Sequence, residues 1–495
     1  MIQRIFKSSW LFLALACMSA SANANWLRIE TQNFIVYSEA KEEKTLELLE
    51  ELEQYRHFLI QHGGVAPRGN ALKLTIFFAR SRARYNALAT ARGSVGVFTL
   101  TANGPIAMFY DTGRGGLYRQ DGKQILFHEY VHYLQRQSAP TQYPLWYREG
   151  FAEYLSSVRF AEDGVSLGEI LLARAENLSR LDWIYMKQLL EAKNFLKKGA
   201  VFYAQSWLLT HMLYTSPDYR SGVSAFLDLL EQDIEPEVAL RQVYDIEYSR
   251  IDQDLRQYFK RGQIFAYQYP VVDPDVKILT QQKLDKAASV MVDKTARLAF
   301  ANGARGYKAI VKSTKRQLNK NPRNTELNLN LAEALIALNQ QAEAEAVTRR
   351  LLTNVPDMPE AHALLGEIIL HRAWSAQRKA ETDFPDESKL VEARAHLEIA
   401  INQMARNARA RKWYAGSYIY GGHQGFDKAE KAITEAYGIY PQEWHIRRQF
   451  ADLLFYKGDQ VNACKLYRPL YRTTYSKDEK KRLENRADKM ENCEL

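Results

Sequence analysis

His128-Glu129-Tyr130-Val131-His132 sets two imidazoles four residues apart. On a helix that spacing puts both rings on one face, where they can hold a single metal ion about 2 Å away. Glu129 lies roughly 100° around the same helix from His128. It is turned too far to be an equivalent ligand, and it is aimed to touch a water on the ion. Glu149 follows His132 by seventeen positions, within Trp146-Tyr147-Arg148-Glu149-Gly150-Phe151-Ala152-Glu153-Tyr154. It opens a second expected helix and supplies a third ligand. Three protein ligands leave a fourth position open, which is the form of a catalytic zinc site rather than a structural one. Glu149 and Glu153 are also four apart and share a helical face. Two carboxylates beside two histidines are costly in an apolar core unless something cationic joins them. One zinc ion per chain removes that difficulty.

These two stretches resemble the gluzincin metallopeptidases, and among them the peptidase MA-like group. The Glu149-Gly150-Phe151-Ala152-Glu153-Tyr154 run is similar to that of aminopeptidase-N-type enzymes. The resemblance covers roughly residues 26–215, with its specific motifs between 128 and 154. It implies an α+β zincin-like (thermolysin-like) fold, with His128, His132 and Glu149 as zinc ligands and Glu129 as general base. It also implies that Glu153, four residues after the third ligand, orients His128. Such enzymes need a Tyr or His beyond the third ligand to steady the oxyanion of the tetrahedral intermediate. Tyr203 and His211 both fit. Tyr203 is favoured because Tyr203-Ala204-Gln205-Ser206-Trp207 resembles peptidase MA-like sequences at this point. Aminopeptidases of the clan carry a Glu on an edge strand that grips the substrate's free amine. The stretch matching that strand is 104–110, and it holds no Glu. Cleavage inside a chain is therefore expected over N-terminal trimming.

The N-terminus reads as an export signal. Arg4 and Lys7 form a basic start, and Trp10 to Ala16 is apolar but too short to span a bilayer. Ala22-Asn23-Ala24 is an A-x-A cleavage site, so 1–24 is expected to be removed. Cys17 raises a lipoprotein alternative, but Ala14-Leu15-Ala16-Cys17 is a poor lipobox. No later stretch is apolar enough to span a membrane. The expected location is periplasmic or secreted.

Hydrophobic residues make up 46% of the 495, enough to build real cores over two to four domains. The net charge is +9, of which Arg4 and Lys7 contribute two. The excess is spread out, which does not point to nucleic acid. Only Cys464 and Cys493 follow the leader, so neither a disulfide scaffold nor a cysteine metal site is expected. An oxidising compartment favours a bridge between them. Geometry opposes it, because an antiparallel cap helix would carry Cys493 past Cys464 by roughly 10 Å unless the tail bends back after Lys489.

The chain divides in two. Residues 25–265 read as the catalytic domain, α+β over 26–120 and mainly helical over 121–265. Short strands are expected at 26–30, 33–37 and 72–78, with a helix over 44–60. β-rich runs over 93–110 precede the HExxH helix, where gluzincins have the edge strand that pairs an extended substrate. Residues 266–284, with Pro270 and Pro274, read as a linker. Beyond it, Trp413, Tyr420, Ala429, Ala436 and Pro441 follow the tetratricopeptide pattern, and Phe450, Ala451, Leu454, Ala463 and Tyr467 repeat it. Leu331, Ala332, Leu335 and Ala344 form an earlier copy. His362, Leu365, Gly366 and Ile369 begin another, interrupted near 374–389. Four to five helix pairs are expected over 285–475, with a charged cap over 476–495. Such solenoids bind peptides or proteins in a concave groove.

The reading is an exported zinc peptidase whose repeats recruit a peptide substrate or a protein partner. The alternative is a catalytically retired domain serving with its repeats as a binding scaffold. An intact Glu129 argues against retirement, since a binding module has no use for it.

Overall fold

The computed structural model describes residues 26–65, 67, 71–89, 94–111, 122–138, 143–193, 199–262, 264–301, 303–422, 425–474, 476–491 and 493–495. The expected leader 1–24, with Cys17, lies outside the described residues. Among the described residues no helix is long and apolar enough to cross a membrane.

The chain opens with β1 (Leu27–Thr31) and β2 (Phe34–Ser38), whose side chains alternate between buried and half-buried, as a strand's period of two requires. Then come α1 (Glu42–His62), β3 (Leu74–Ala79), α2 (Arg82–Leu88), β4 (Gly96–Thr101) and β5 (Gly104–Tyr110). The HExxH helix is α3 (Gly122–Ser138), and α4 (Leu145–Leu155) carries the second motif. Glu149 therefore sits one turn inside its helix instead of opening it. A hairpin of β6 (Arg159–Ala161) and β7 (Gly164–Leu167) leads to six helices: α5 (Leu172–Arg180), α6 (Met186–Leu190), α7 (Gly199–Thr215), α8 (Val223–Glu231), α9 (Pro236–Tyr244) and α10 (Tyr248–Arg261). β8 (Tyr267–Tyr269) and β9 (Ile278–Lys283) follow.

The main sheet has the order β4-β5-β3-β2-β1-β9, with β3 parallel to both β2 and β5 and the remaining pairs antiparallel. One face carries Ile29, Phe34, Val36, Ile76 and Phe109 into a core shared with α1, α3, α4 and α7. The other presents Phe77, Ile106 and Met108 to Tyr85 of α2 and to Val292 and Ala296 of α11 (Lys286–Ala299).

The structure corrects two expectations. The stretch 104–110 is not the edge strand. It is β5, fully buried and paired on both sides, as a continuous apolar run with both faces covered should be. The edge is β4. The segment 266–284 is not a linker either. β8 completes a small sheet with β7, and β9 pairs along β1 as the far edge of the main sheet. Trp26 seals the continuation, its indole Nε1 donating to Asp293 Oδ1 at 2.9 Å.

α12 (Gly303–Leu318) starts the solenoid proper. Its pairs are α13 (Thr325–Ala337) with α14 (Gln341–Asn354), α15 (Pro359–Ala380) with α16 (Glu387–Gln403), α17 (Ala408–Ile419) with α18 (Phe426–Ile439), and α19 (Trp444–Tyr456) with α20 (Gln460–Thr473). Ala332, Ala344, Ala393, Ala415, Ala429 and Ala463 are fully buried where helices approach. At Gly366 a β-carbon would meet Leu397 Cγ at 2.5 Å, so that crossing of α15 and α16 needs glycine. The insertion near 374–389 lengthens α15 by extra turns. α21 (Lys477–Ala487) caps the array. It stops at Ala487, the tail folds back, and Cys464 and Cys493 are bridged with Cα atoms 5.6 Å apart.

A chain ending at Pro270 lacks β9 and α11, so it should be insoluble or molten, whereas one ending after Phe300 should be soluble with a cooperative melt. Equal behaviour of the two would refute the shared core. Cys493→Ser opens a loop spanning 29 residues and should destabilise the C-terminal repeat by about 3 kcal/mol, read as a lower first melting transition that reductant does not lower further.

Candidate metal centre

Helix α3 projects His128 and His132 from successive turns of one face. Across from them α4 presents Glu149. His132 Nε2 lies 3.2 Å from His128 Nε2 and 3.3 Å from Glu149 Oε2, and His128 Nε2 lies 3.3 Å from the same carboxylate oxygen. The three donor atoms thus form a nearly equilateral triangle. A tetrahedral ion with bonds of about 2.0–2.1 Å holds its ligands about 3.3–3.4 Å apart. The donor set, two imidazoles and one carboxylate, suits zinc rather than a hard cation such as calcium or magnesium. His128 and Glu149 are buried, and His132 is half-buried. By spacing and by chemistry, the residues present fit the group.

The field around the triangle favours positive charge. Burial works against a charged His128 ring, yet Glu149 and Glu153 outweigh it and raise its pKa to about 10. Burial works the other way on Glu149, whose carboxyl is nonetheless held far below the usual range by His128 and His132.

Glu153, one turn beyond Glu149, brings Oε1 to 3.1 Å from His128 Nδ1. The approach is off the line of an ideal hydrogen bond, so it is best described as an ion-pair contact. Behind Glu153 stands a residue that sequence reasoning missed. Arg174, on α5, grips both carboxylate oxygens, Nε to Oε2 at 2.8 Å and Nη2 to Oε1 at 2.5 Å. Burial pushes the Glu153 carboxyl up, but Arg174 above all, with His128, pulls it down to about 2. The only signal for such a partner was the rule that a buried carboxylate needs a cation.

Helix α7 closes the site because Gly150 lets it approach α4. A β-carbon there would meet Ser206 O at 2.2 Å and Thr210 Oγ1 at 2.4 Å. This crossing carries Tyr203 to the centre. Its ring lies 6.2 Å from that of His128 and has the Arg174 guanidinium 5.2 Å above it. Burial first, then the Glu149 and Glu129 carboxylates, raise the pKa of its hydroxyl and keep it a proton donor. Half-buried Glu129 is thus within electrostatic reach of Tyr203. His211 is not part of the centre. Its Nδ1 meets Tyr258 Oη at 2.7 Å and its Nε2 meets Gly168 O at 2.9 Å, both outside the cluster. Burial lowers its pKa to about 4, as for a neutral core histidine.

A cavity of about 630 Å³ lies against the opposite face of α4, lined in part by Tyr147, Phe151, Tyr154 and Tyr214. No member of the cluster borders it.

Residues 309–368 match the tetratricopeptide repeat family. Solved structures similar to the chain are those of tetratricopeptide proteins and their like. A thermophilic TPR protein of Thermus thermophilus is 21% identical, with 37% of this chain and 90% of that one covered and a TM-score of 0.31. MamA from Desulfovibrio magneticus is 16% identical over 39% and 99%, with a TM-score of 0.29. A tetratricopeptide protein from Parabacteroides merdae is 14% identical over 56% and 94%, with a TM-score of 0.28. No curated protein matches the chain. The second half of the chain is an array of paired helices, and residues 309–368 within it carry the tetratricopeptide match.

Substituting Arg174→Gln leaves the buried Glu153 carboxylate without its counter-charge and frees His128 to turn. Zinc affinity should fall about 10- to 100-fold, measured by competition with a chromophoric chelator. An unchanged dissociation constant would mean that the Glu153–Arg174 pair only packs.

Proposed function

We propose that the chain is a zinc-dependent peptidase, in which His128, His132 and Glu149 hold one ion and the repeats recruit a peptide or protein. The observation that carries this reading is the donor triangle, with sides of 3.2–3.3 Å, beside a carboxylate, Glu129, that binding alone would not need. Zinc bound there would polarise a scissile carbonyl and bring the pKa of water to near 7.

The remaining roles belong to the chain. Glu129 accepts a proton from the attacking water and passes it to the leaving amine nitrogen. Tyr203 donates its hydroxyl hydrogen bond to the carbonyl oxygen as charge builds there. Arg174 fixes Glu153, and Glu153 holds the His128 ring so that Nε2 faces the triangle. The edge strand β4 offers its backbone to an extended substrate. Its residues, Gly96-Val97-Phe98-Thr99-Leu100-Thr101, include no carboxylate to grip a free amine. The true edge strand therefore also favours cleavage within a chain. Export to a periplasm or to the outside is part of the proposal and rests on the leader.

The competing reading is a retired domain that serves as a scaffold beside its repeats. Turnover separates the two. Glu129→Gln should keep zinc but lose peptide hydrolysis by at least about 10³-fold, while Tyr203→Phe should lower kcat by about 10²-fold with little change in KM. Full activity of Glu129→Gln would end the mechanism. Zinc-loaded wild-type protein inert towards an unbiased peptide library would favour the scaffold.

A further inference from the structure

The solenoid helices α13, α15, α17 and α19 touch one another in succession, more closely than the even-numbered helices do. They therefore form the concave side, the face such arrays offer to a partner. Part of that face is already taken by the chain's own β4–β5 turn. Asn103, in the turn, donates Nδ2 to Glu333 Oε1 of α13 at 3.3 Å and accepts from Arg409 Nη1 of α17 at 3.2 Å. Arg409 is itself buried and held at 2.6 Å by both Glu333 and Glu367. Ala102 and Asn103 border a cavity of about 560 Å³, opposite Leu329 of α13 and Leu364 of α15. The hairpin thus sits where a bound segment would sit.

A second set of bonds ties the same solenoid to the HExxH helix. Tyr440 Oη donates at 3.0 Å to the carbonyl of Thr101, the last residue of β4, and Leu100 packs on the solenoid core. Leu72 N donates to Ile439 O at 2.9 Å, while Leu72 O accepts from the Tyr133 hydroxyl. Gln442 Nε2 reaches Tyr133 O at 3.5 Å. Tyr133 follows His132 on α3, and its ring lies 6.4 Å from that of Phe98 on β4. Residues 439–442 therefore hold the edge strand by its end and α3 beside His132.

The register shows which backbone groups of β4 are open. Tyr110 N donates to Val95 O at 3.3 Å, and bonded pairs recur at every second residue of an antiparallel ladder. Val97, Thr99 and Thr101 therefore bond across to Met108, Ile106 and Gly104. Gly96, Phe98 and Leu100 turn their N–H and C=O outward. Pro105, opposite Leu100, fits this phase, because it has no N–H to give. The Ser94 hydroxyl already takes both groups of Gly96. Phe98 and Leu100 are left to pair an extended chain over about three residues. These are the residues nearest Tyr133 and the solenoid.

We infer that Asn103, Tyr440 and Gln442 are positioning residues. Through them the concave face of the solenoid holds the β4–β5 hairpin as its own ligand, and so fixes the open groups of Phe98 and Leu100 relative to the donor triangle. The inference rests on the peptidase reading for its substrate, an extended peptide paired along β4.

The test compares the zinc-loaded full chain with the double variant Asn103→Ala, Tyr440→Phe. That variant removes three hydrogen bonds between hairpin and solenoid, and it leaves Arg409 and the Tyr440 ring in place. The substrates are a blocked dipeptide and a blocked hexapeptide. For the hexapeptide KM should rise about tenfold, with kcat within about twofold of wild type. The dipeptide is too short to pair along the strand, so its KM should move by less than about twofold. Equal losses for both peptides, or no change in either, overturn the positioning role. If the wild-type chain cleaves neither peptide, the peptidase reading falls, and hydrogen exchange decides the contact. The amides of residues 96–101 should then exchange about tenfold faster in the variant, with those of β1 and β2 unchanged. Equal rates in the two proteins, or a uniform rise across the sheet, overturn it.

Discussion

Two carboxylates one turn apart on α4 are buried against two histidines on α3, and that arrangement constrains everything around it. Against the effect of burial, both carboxyls are held well below the ordinary range, Glu149 by His128 and His132 and Glu153 by Arg174 and His128. The interior must therefore supply positive charge at two points. Arg174 answers Glu153 with a bidentate grip. Glu149 shares its oxygen with both histidines, and that shared corner is the place proposed for an ion. Burying such charges is costly unless each is paired and hydrogen-bonded. The surrounding helices are organised to pair them. Gly150 draws α7 in, and α7 brings Tyr203.

The same constraint extends outward through the sheet. α3 packs on β4 and β5, so the edge strand and the donor triangle are held in register. At the other end the sheet finishes in β9, its far edge, and α11 covers the second face. The first domain therefore runs to about residue 300, and the solenoid begins with α12 at Gly303. Tyr440, Gln442 and Arg409 all contact the β4–β5 turn or α3, so the repeats help to hold the edge strand and the HExxH helix in place.

What was legible in the sequence was local or periodic. His128 and His132, and Glu149 and Glu153, announce themselves through four-residue spacing, and the repeats through their 34-residue period. β1, β2 and β3 follow from alternation. What was not legible depends on distant contacts. β9 is exposed along its whole length, so its sequence carries no buried face, and two nearby prolines make it look like a linker. Arg174 meets Glu153 only because α5 packs on α7, which itself packs on α4. The tail's return to Cys464 needs a turn after Ala487 that composition does not mark. Eight helical residues span about 12 Å, so only one of Tyr203 and His211 can stand beside the cluster, and it is the Tyr203 ring that lies 6.2 Å from that of His128.

On the proposed function, His128, His132 and Glu149 together hold one zinc ion. Zinc titration of the full chain against a competing chelator, followed by X-ray absorption of the loaded protein, addresses it directly. One zinc per chain is expected, with two nitrogen ligands and oxygen completing the shell, and the site should be lost in both His132→Ala and Glu149→Ala. A chain that takes up no zinc, or one whose full stoichiometry survives His132→Ala, would contradict it.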